Sequence, residues 1–390
     1  MSLRDAFTPA GLDLDRLGPD SLAALLGRPL RAAPGLAARL QGCFAGRRVL
    51  ITGAAGSIGA ALAAHLCVLP ELELTLLDHH EDSLFDLQQC LDHLPRRRAA
   101  VRYVLADLRS AGKLRRVLRQ ARPEVVLHLA ARKHVPLAEL EPDEAVTVNV
   151  LATAHLARMA AECGAGVLVF PSTDKAVNPP STYGMTKRLA EAALLALESE
   201  TALRIAVVRF VNVLGTQGSV LQTFARQIAM GGPLTITDPQ MTRYWMTMDE
   251  AVTLLLLAAI SPQLHGLVAP DLGEPLAVVE IGRRLWRLAG HTGEPPQRIT
   301  GPRPGEKPFE ELHYPFETPD TVALAELTQP WVQRLACAGA GLPWRRWEAE
   351  LEVLETLACE GAATALRPRV AALVAQANHA FAQARTASSA

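Results

Sequence analysis

Between Arg48 and Arg209, short apolar runs alternate with longer amphipathic stretches. The runs are RVLIT (48–52), LELTLL (72–77), VRYVL (101–105), VVLHLA (125–130), VLVF (167–170) and IAVVRF (205–210). They are rich in β-branched residues and nearly unbroken, as expected of parallel strands buried on both faces. The stretches between them, such as 114–120 and 144–162, carry apolar positions at helical spacing. Strands alternating with helices predict an α/β chain with a Rossmann-like, doubly wound parallel sheet.

Outside that region the pattern changes. Residues 1–45, rich in Leu, Ala, Gly and Pro, read as a helical lead-in to a sheet domain over 46–210. Residues 211–330 mix Gly, Pro and Thr with short apolar runs and suggest a smaller lobe interleaved with the sheet. Residues 331–390 read as a helical C-terminal extension.

Composition narrows the function classes. Lys and Arg number 39 against 40 Asp and Glu, so no basic surplus supports nucleic-acid binding. The six cysteines form no C-x-x-C pair, which argues against zinc or a disulfide framework. The N-terminus has no basic segment followed by an apolar one, and the longest apolar run, within 251–260, is too short to span a bilayer. The expectation is a cytoplasmic protein without a membrane span or a metal.

The stretch VLITGAAGSIGAALAAHL sets Gly53, Gly56 and Gly59 between a strand and a helix, with Ala55, Ser57 and Ile58 completing the turn. Such glycines allow a tight turn, backbone approach to a pyrophosphate, and close helix packing, with the anion at a helix N-terminus. Asp78, at the end of the next run, would accept hydrogen bonds from ribose hydroxyls and repel a 2′-phosphate. That favours NAD over NADP, unless Asp78 is a plain loop aspartate. Asp107 and Leu108, after the third run, are placed to meet the adenine edge.

PSTDKAVNPPSTYGMTK (171–187) holds two reactive pairs. Tyr183 and Lys187 share a helix face one turn apart, where an ammonium favours phenolate. A phenolate beside a nicotinamide takes a hydroxyl proton while hydride leaves the same carbon. Thr173 supplies a hydroxyl to hold the substrate alcohol. The second pair, Asp174 and Lys175, suits an oxidation followed by elimination. A ketone acidifies the neighbouring C–H; a base removes that proton, and an acid helps expel a hydroxyl one carbon further on. The simpler alternative is that Asp174 and Lys175 only pair with neighbours.

The motifs TGAAGSIG, LHLAARKHVPLAELEPDEAVTVNV, STDKAVNP, RFVNVLGTQGSV, GGPLTITDPQMTRYWMT and RPGEKPFEEL resemble the UDP-N-acetylglucosamine 4,6-dehydratases of the extended short-chain dehydrogenase/reductase superfamily, the capsular polysaccharide type. The resemblance runs from about Asp20 to about Tyr314, and more faintly through the C-terminal helices. It implies an NAD-dependent homo-oligomeric enzyme acting on a UDP-sugar, with Asp174 the acid for the C6 hydroxyl and Lys175 the base at C5. It further implies that Ala130, Ala131, Lys133 and His134 face the nicotinamide or sugar and that Asn149 orients the catalytic loop. Asn212 would contact the sugar, and Gly218, Ser219 and Val220 would form a pyrophosphate-proximal turn. Arg243, Arg303 and Glu306 would reach the diphosphate and nucleoside. The chain departs from the pattern at Tyr183, where membrane-bound members often have Met, at Gln222, where Pro is common, and at Pro308, where an apolar residue is common. The competing readings are a nucleotide-sugar epimerase or dehydrogenase and a non-catalytic nucleotide-binding regulator.

Overall fold

The computed structural model describes residues 17–322, 324, 331–337 and 341–388, with side chains described through 383. The six apolar runs form parallel strands β1 (Arg48–Thr52), β2 (Glu73–Asp78), β3 (Ala100–Leu105), β4 (Val125–His128), β5 (Val167–Thr173) and β6 (Arg204–Phe210). Their hydrogen-bonded order is β3-β2-β1-β4-β5-β6, in which the winding direction reverses between β1 and β4. Ligands of such sheets bind in the crevice at that reversal, outside the strands' carboxyl ends. In register, Val49 of β1 lies between Leu74 of β2 and Val125 of β4. Strands β1, β2 and β4 are buried from these residues onward, whereas the edge strand β3 is half exposed.

The sheet is larger and less uniform than the sequence pattern suggests. Gly266–Pro270 continues the parallel set beside β6, and then Val332–Ala336 and Thr318–Thr321 add in antiparallel sense, giving nine strands among the described residues. The expected doubly wound parallel sheet thus carries two further strands in antiparallel sense. Thr318–Thr321 (TPDT) is polar, exposed and carries a proline, all of which suit an edge strand and hide it from a search for apolar runs.

The chain divides into two compact units. One comprises 33–210, 252–271 and 311–390, and the other 17–32, 211–251 and 272–310. The expected boundaries shift accordingly. The lead-in is split: its helix Pro19–Leu26 buries Leu25 and Leu26 with Leu221, Phe224, Ile281 and Leu285 in the smaller unit, while the helix Leu36–Phe44 belongs to the sheet unit. The C-terminal segment is not an appendage either. Trp347, Leu354, Leu366, Val370, Leu373 and Phe381 share one buried cluster with Phe170 of β5 and Leu189. These side chains remove apolar area from water at about 25 cal/mol per Å², so the helices that carry them are part of the sheet unit's core.

No helix among the described residues is long and apolar enough to cross a membrane, and no group of side chains there could hold a metal ion. All six cysteines are free thiols.

Candidate active site

At the winding reversal, β1 ends in a turn with two positions that admit no side chain. Gly53 adopts φ +66°, and a Cβ there would lie 2.6 Å from the Ala130 nitrogen. A Cβ on Gly59 would lie 2.2 Å from the Gly53 carbonyl oxygen. The helix Ser57–Leu66 starts at Gly56 with no side-chain cap. Its first N–H groups, which the helix itself cannot satisfy, suit an anion. Asp78 is 6% exposed, and its carboxylate closes the same turn, accepting from the Ala55 nitrogen at 2.9 Å, His79 at 2.7 Å and His80 at 3.0 Å. A carboxylate has lone pairs beyond these three bonds. The cradle thus fits a dinucleotide.

Other expected cofactor residues act mainly on backbone. Asn149 is fully buried within a π-helical turn, Thr147–Ala152. Its amide oxygen accepts from the Arg132 nitrogen at 2.8 Å, and its nitrogen donates to the Arg132 carbonyl at 2.9 Å and Thr186 Oγ1 at 3.1 Å. It thereby pins the loop of Ala130, Ala131, Lys133 and His134 to the helix that carries Tyr183. Asp107 pairs with Arg109, whose guanidinium holds its carboxyl below the usual range, while Leu108 is buried beside it.

β5 delivers the reactive turn. Thr173 is its last residue, and Asp174–Ala176 follow as one 3₁₀ turn. Asp174 is fully buried, and its Oδ1 accepts from Thr173 Oγ1 at 2.9 Å and Lys175 Nζ at 2.9 Å. Its Oδ2 is buried with no hydrogen-bond partner. Thr173 Oγ1 in turn accepts from the Lys175 nitrogen at 3.3 Å.

The helix Thr182–Glu200 brings the second pair alongside. Ser181 caps it by accepting from the Gly184 nitrogen at 3.1 Å. Tyr183 is 9% exposed and packs on Ala138 and Ala145. Lys187 lies 3.7 Å from the Phe170 ring centroid, and burial pushes its ammonium down to about 7, with Glu191 opposing. Nearby His128 bridges Thr52 (2.6 Å) and Thr153 (2.9 Å), and burial, aided by Lys187, pushes it down to about 3.

Two features carry no signal in a linear reading. Gly184 lies inside a helix, yet a Cβ there would come 2.2 Å from the Lys175 carbonyl oxygen, so only glycine lets the helix meet the reactive turn. Behind the helix, Arg188, Glu191, Arg209 and Glu317 form a fully buried network, with Arg209 contacting Glu191 at 2.8 Å and Glu317 at 2.5 Å. The glycine sits within the motif STYG, but the network joins residues far apart in sequence.

The polysaccharide biosynthesis protein family matches residues 49–329. The chain belongs to that family. It is 40% identical over 268 residues to a probable polysaccharide biosynthesis protein, EpsC, of Bacillus subtilis, covering 68% of this chain and 45% of that one. It is 30% identical to an inverting UDP-N-acetylglucosamine 4,6-dehydratase of Campylobacter jejuni, covering 70% and 82%. Among solved structures it resembles Pen from Bacillus thuringiensis, with TM-score 0.61 and 28% identity over 70% of this chain and 84% of that one. It also resembles the Thermus thermophilus UDP-glucose 4-epimerase in complex with NAD, with TM-score 0.59 and 25% identity over 68% and 90%. The chain spans about half the length of EpsC and of the Staphylococcus aureus capsular protein CapD.

In this member of the family, the remaining expected residues lie in the smaller unit. Asn212 pairs with Trp245 in a short parallel ladder. Ser219 caps the helix Val220–Ala229, while Gln222, at the position where Pro is common, bonds the Gly218 nitrogen and the Gly215 carbonyl and so fixes the turn. Arg243 is 7% exposed, and its guanidinium donates to the carbonyls of Lys307 at 2.9 Å and Pro308 at 3.2 Å. Glu306 accepts from the Arg303 nitrogen at 2.9 Å, and the Arg303 side chain is exposed.

Proposed function

We propose that the chain is an NAD-dependent 4,6-dehydratase that converts a UDP-N-acetylhexosamine, UDP-N-acetylglucosamine in the first instance, to a 4-keto-6-deoxy sugar nucleotide. The observation that carries this reading is the contact of buried Asp174 with Lys175 on the turn that meets the helix of Tyr183 and Lys187, with Asp174 Oδ2 lacking a partner. An oxidation alone does not call for that second pair.

Bound NAD would accept the C4 hydride and return it at C6. Tyr183 takes the C4 hydroxyl proton, its phenolate favoured by the Lys187 ammonium. The C4 ketone acidifies the C5 proton, which neutral Lys175 Nζ removes. Asp174, protonated, gives its proton to the C6 hydroxyl, which departs as water. Transfer of one proton along the 2.9 Å Lys175–Asp174 contact creates the neutral base and the protonated acid together. After elimination Lys175 holds the C5 proton and Asp174 is a carboxylate; as C6 is reduced the Lys175 ammonium protonates C5, and the proton that Tyr183 took from the C4 hydroxyl restores the ionic pair. A coupled pair of this kind titrates as one unit.

In the smaller unit we assign the diphosphate to exposed Arg303, whose planar fork suits it. Arg243 secures the backbone of the adjoining loop. Asn212, Ser219 and Glu306 are assigned to the UDP-sugar on the family resemblance, as are Lys133 and His134 of the sheet unit.

The test is incubation of purified protein and NAD with UDP-N-acetylglucosamine in deuterated water, followed by NMR and mass spectrometry. Loss of one water, a C4 keto or hydrate signal and deuterium at C5 are expected. An isomer of unchanged mass would assign the chain to epimerisation, the activity named for a Rickettsia akari relative 30% identical to it.

A further inference from the structure

The Asp174–Ala176 turn is tied to the C-terminal helix Ala363–Ser388 by a chain of directed hydrogen bonds. Tyr314 Oη donates to the Ala176 carbonyl at 3.1 Å. Asn378 Nδ2, from the C-terminal helix, donates to Tyr314 Oη at 3.1 Å. Arg188 Nε donates to Asn378 Oδ1 at 2.8 Å. Arg188 also lies 4.6 Å from the Tyr314 ring centroid and 5.0 Å from that of Phe381. Its position is fixed by Glu191 and Glu317, both fully buried.

The polarity of this chain is determined. Arg188 has only donors, so it orients the Asn378 amide with its oxygen inward and its NH₂ toward Tyr314. Receiving that N–H, the Tyr314 hydroxyl directs its single hydrogen to the Ala176 carbonyl. The pull acts on the last residue of the turn that holds Asp174 and Lys175.

We infer that Asn378 and Tyr314 are positioning residues, through which the C-terminal helix sets the geometry of the Asp174–Lys175 pair. Asn378 lies outside residues 49–329, the stretch matched by the family. In its catalytic consequence the inference rests on the proposed dehydration, but the geometry of Lys175 is measurable without any sugar.

The test uses the full chain with Tyr314→Phe and Asn378→Ala, plus Asn378→Gln as the conservative variant. Two readouts are taken. The first is the pH profile of Lys175 acylation by acetic anhydride, read by peptide mass spectrometry without substrate. The second, with NAD and UDP-N-acetylglucosamine, separates the rate of nicotinamide reduction from the rate of deuterium entry at C5. Tyr314→Phe and Asn378→Ala should shift the Lys175 profile and slow C5 exchange about tenfold, since small misplacements of reacting groups cost up to ~100-fold. Nicotinamide reduction should change less than about twofold, and Asn378→Gln should recover part of the loss. An unchanged Lys175 profile with equal slowing of both steps would reduce the chain of bonds to a structural role and overturn the inference. So would no change in either readout. If wild type does not dehydrate the sugar but the Lys175 profile still shifts, the proposed function fails and the positioning role stands.

Discussion

Lys175 Nζ lies 2.9 Å from one oxygen of Asp174, while the other oxygen of that carboxylate is buried without a partner. An unpaired buried polar atom costs about 1–3 kcal/mol, so the site tolerates a sizeable penalty there. A substrate hydroxyl or a proton on Oδ2 would relieve it. Removing either member should therefore stop elimination and spare oxidation. Lys175→Ala and Asp174→Asn should each lower water loss by roughly 10²–10⁴-fold, the usual range for one acid–base group. NAD binding should stay within about twofold, as followed by protein fluorescence. Wild-type turnover by Lys175→Ala would sink the mechanism.

Gly184→Ala tests the contact between helix and turn. The added methyl would stand 2.2 Å from the Lys175 carbonyl and 2.9 Å from Pro179 Cβ. The carbonyl belongs to the backbone of the reactive turn, so relief requires moving the turn itself. Over-packing of this kind costs about 1–3 kcal/mol, and activity should fall by up to ~100-fold. Thermal melting and turnover measure the two separately. An active, equally stable variant would mean the turn can move freely.

How far these features can be read from the sequence depends on whether their partners are local. The glycine turn, Asp78 and the Tyr183–Lys187 spacing lie within single strand–turn–helix units, where residue type and spacing already carry the geometry. The two antiparallel strands were hidden because Thr318–Thr321 is polar and exposed and Val332–Ala336 is only partly buried. Arg188 and Arg209 read as ordinary charged positions. Their partner Glu317 lies 129 and 108 residues away in sequence, and no periodicity reports such a pairing. Thr173 shows a subtler limit: its place at the end of β5 was legible, but the direction of its hydroxyl toward Asp174 was not.

The buried network predicts an asymmetric mutational cost. Arg209 faces both Glu191 and Glu317, and its proximity holds Glu191 down to about 2 despite full burial. Arg209→Leu would leave those carboxylates short of a counter-charge and should cost about 3–5 kcal/mol. Arg158→Ala removes an exposed partner of Glu348 and should cost less than about 1 kcal/mol. Urea denaturation of both variants checks the contrast, and similar midpoints would contradict it.

Two buried groups give opposite ends to the pH profile. His128 stays neutral in the fold until about 3, whereas the unfolded imidazole takes a proton near ~6.5. The unfolded state therefore binds more protons between those values, and stability falls as pH drops below about 6.5. Lys187 releases its proton near 7 in the fold but near ~10.4 when unfolded, so its contribution to stability rises with pH across that interval. The stability deficit of wild type relative to Lys187→Met should narrow from about pH 7 to 10 and be flat below. A difference constant over the whole range would show that Lys187 keeps its proton in the folded protein.

Asp78 predicts the choice of dinucleotide. Its carboxylate is held by three backbone N–H groups, from Ala55, His79 and His80, so it cannot swing away from a ligand at that edge without opening the glycine turn. A ribose 2′-hydroxyl can donate to it, whereas a 2′-phosphate would bring like charge against a fixed anion. The exposed His79 ring, 3.2 Å from Asp78 Oδ1, would soften that repulsion only when protonated. NAD should therefore bind at least about tenfold more tightly than NADP at pH 8, a difference of ~1.4 kcal/mol. Asp78→Asn should reduce discrimination while retaining one acceptor for the turn; Asp78→Ala should in addition lower the melting temperature. Calorimetric titration of both dinucleotides against the three proteins decides the matter. Equal affinities in wild type at pH 8 would mean that the carboxylate serves the turn alone.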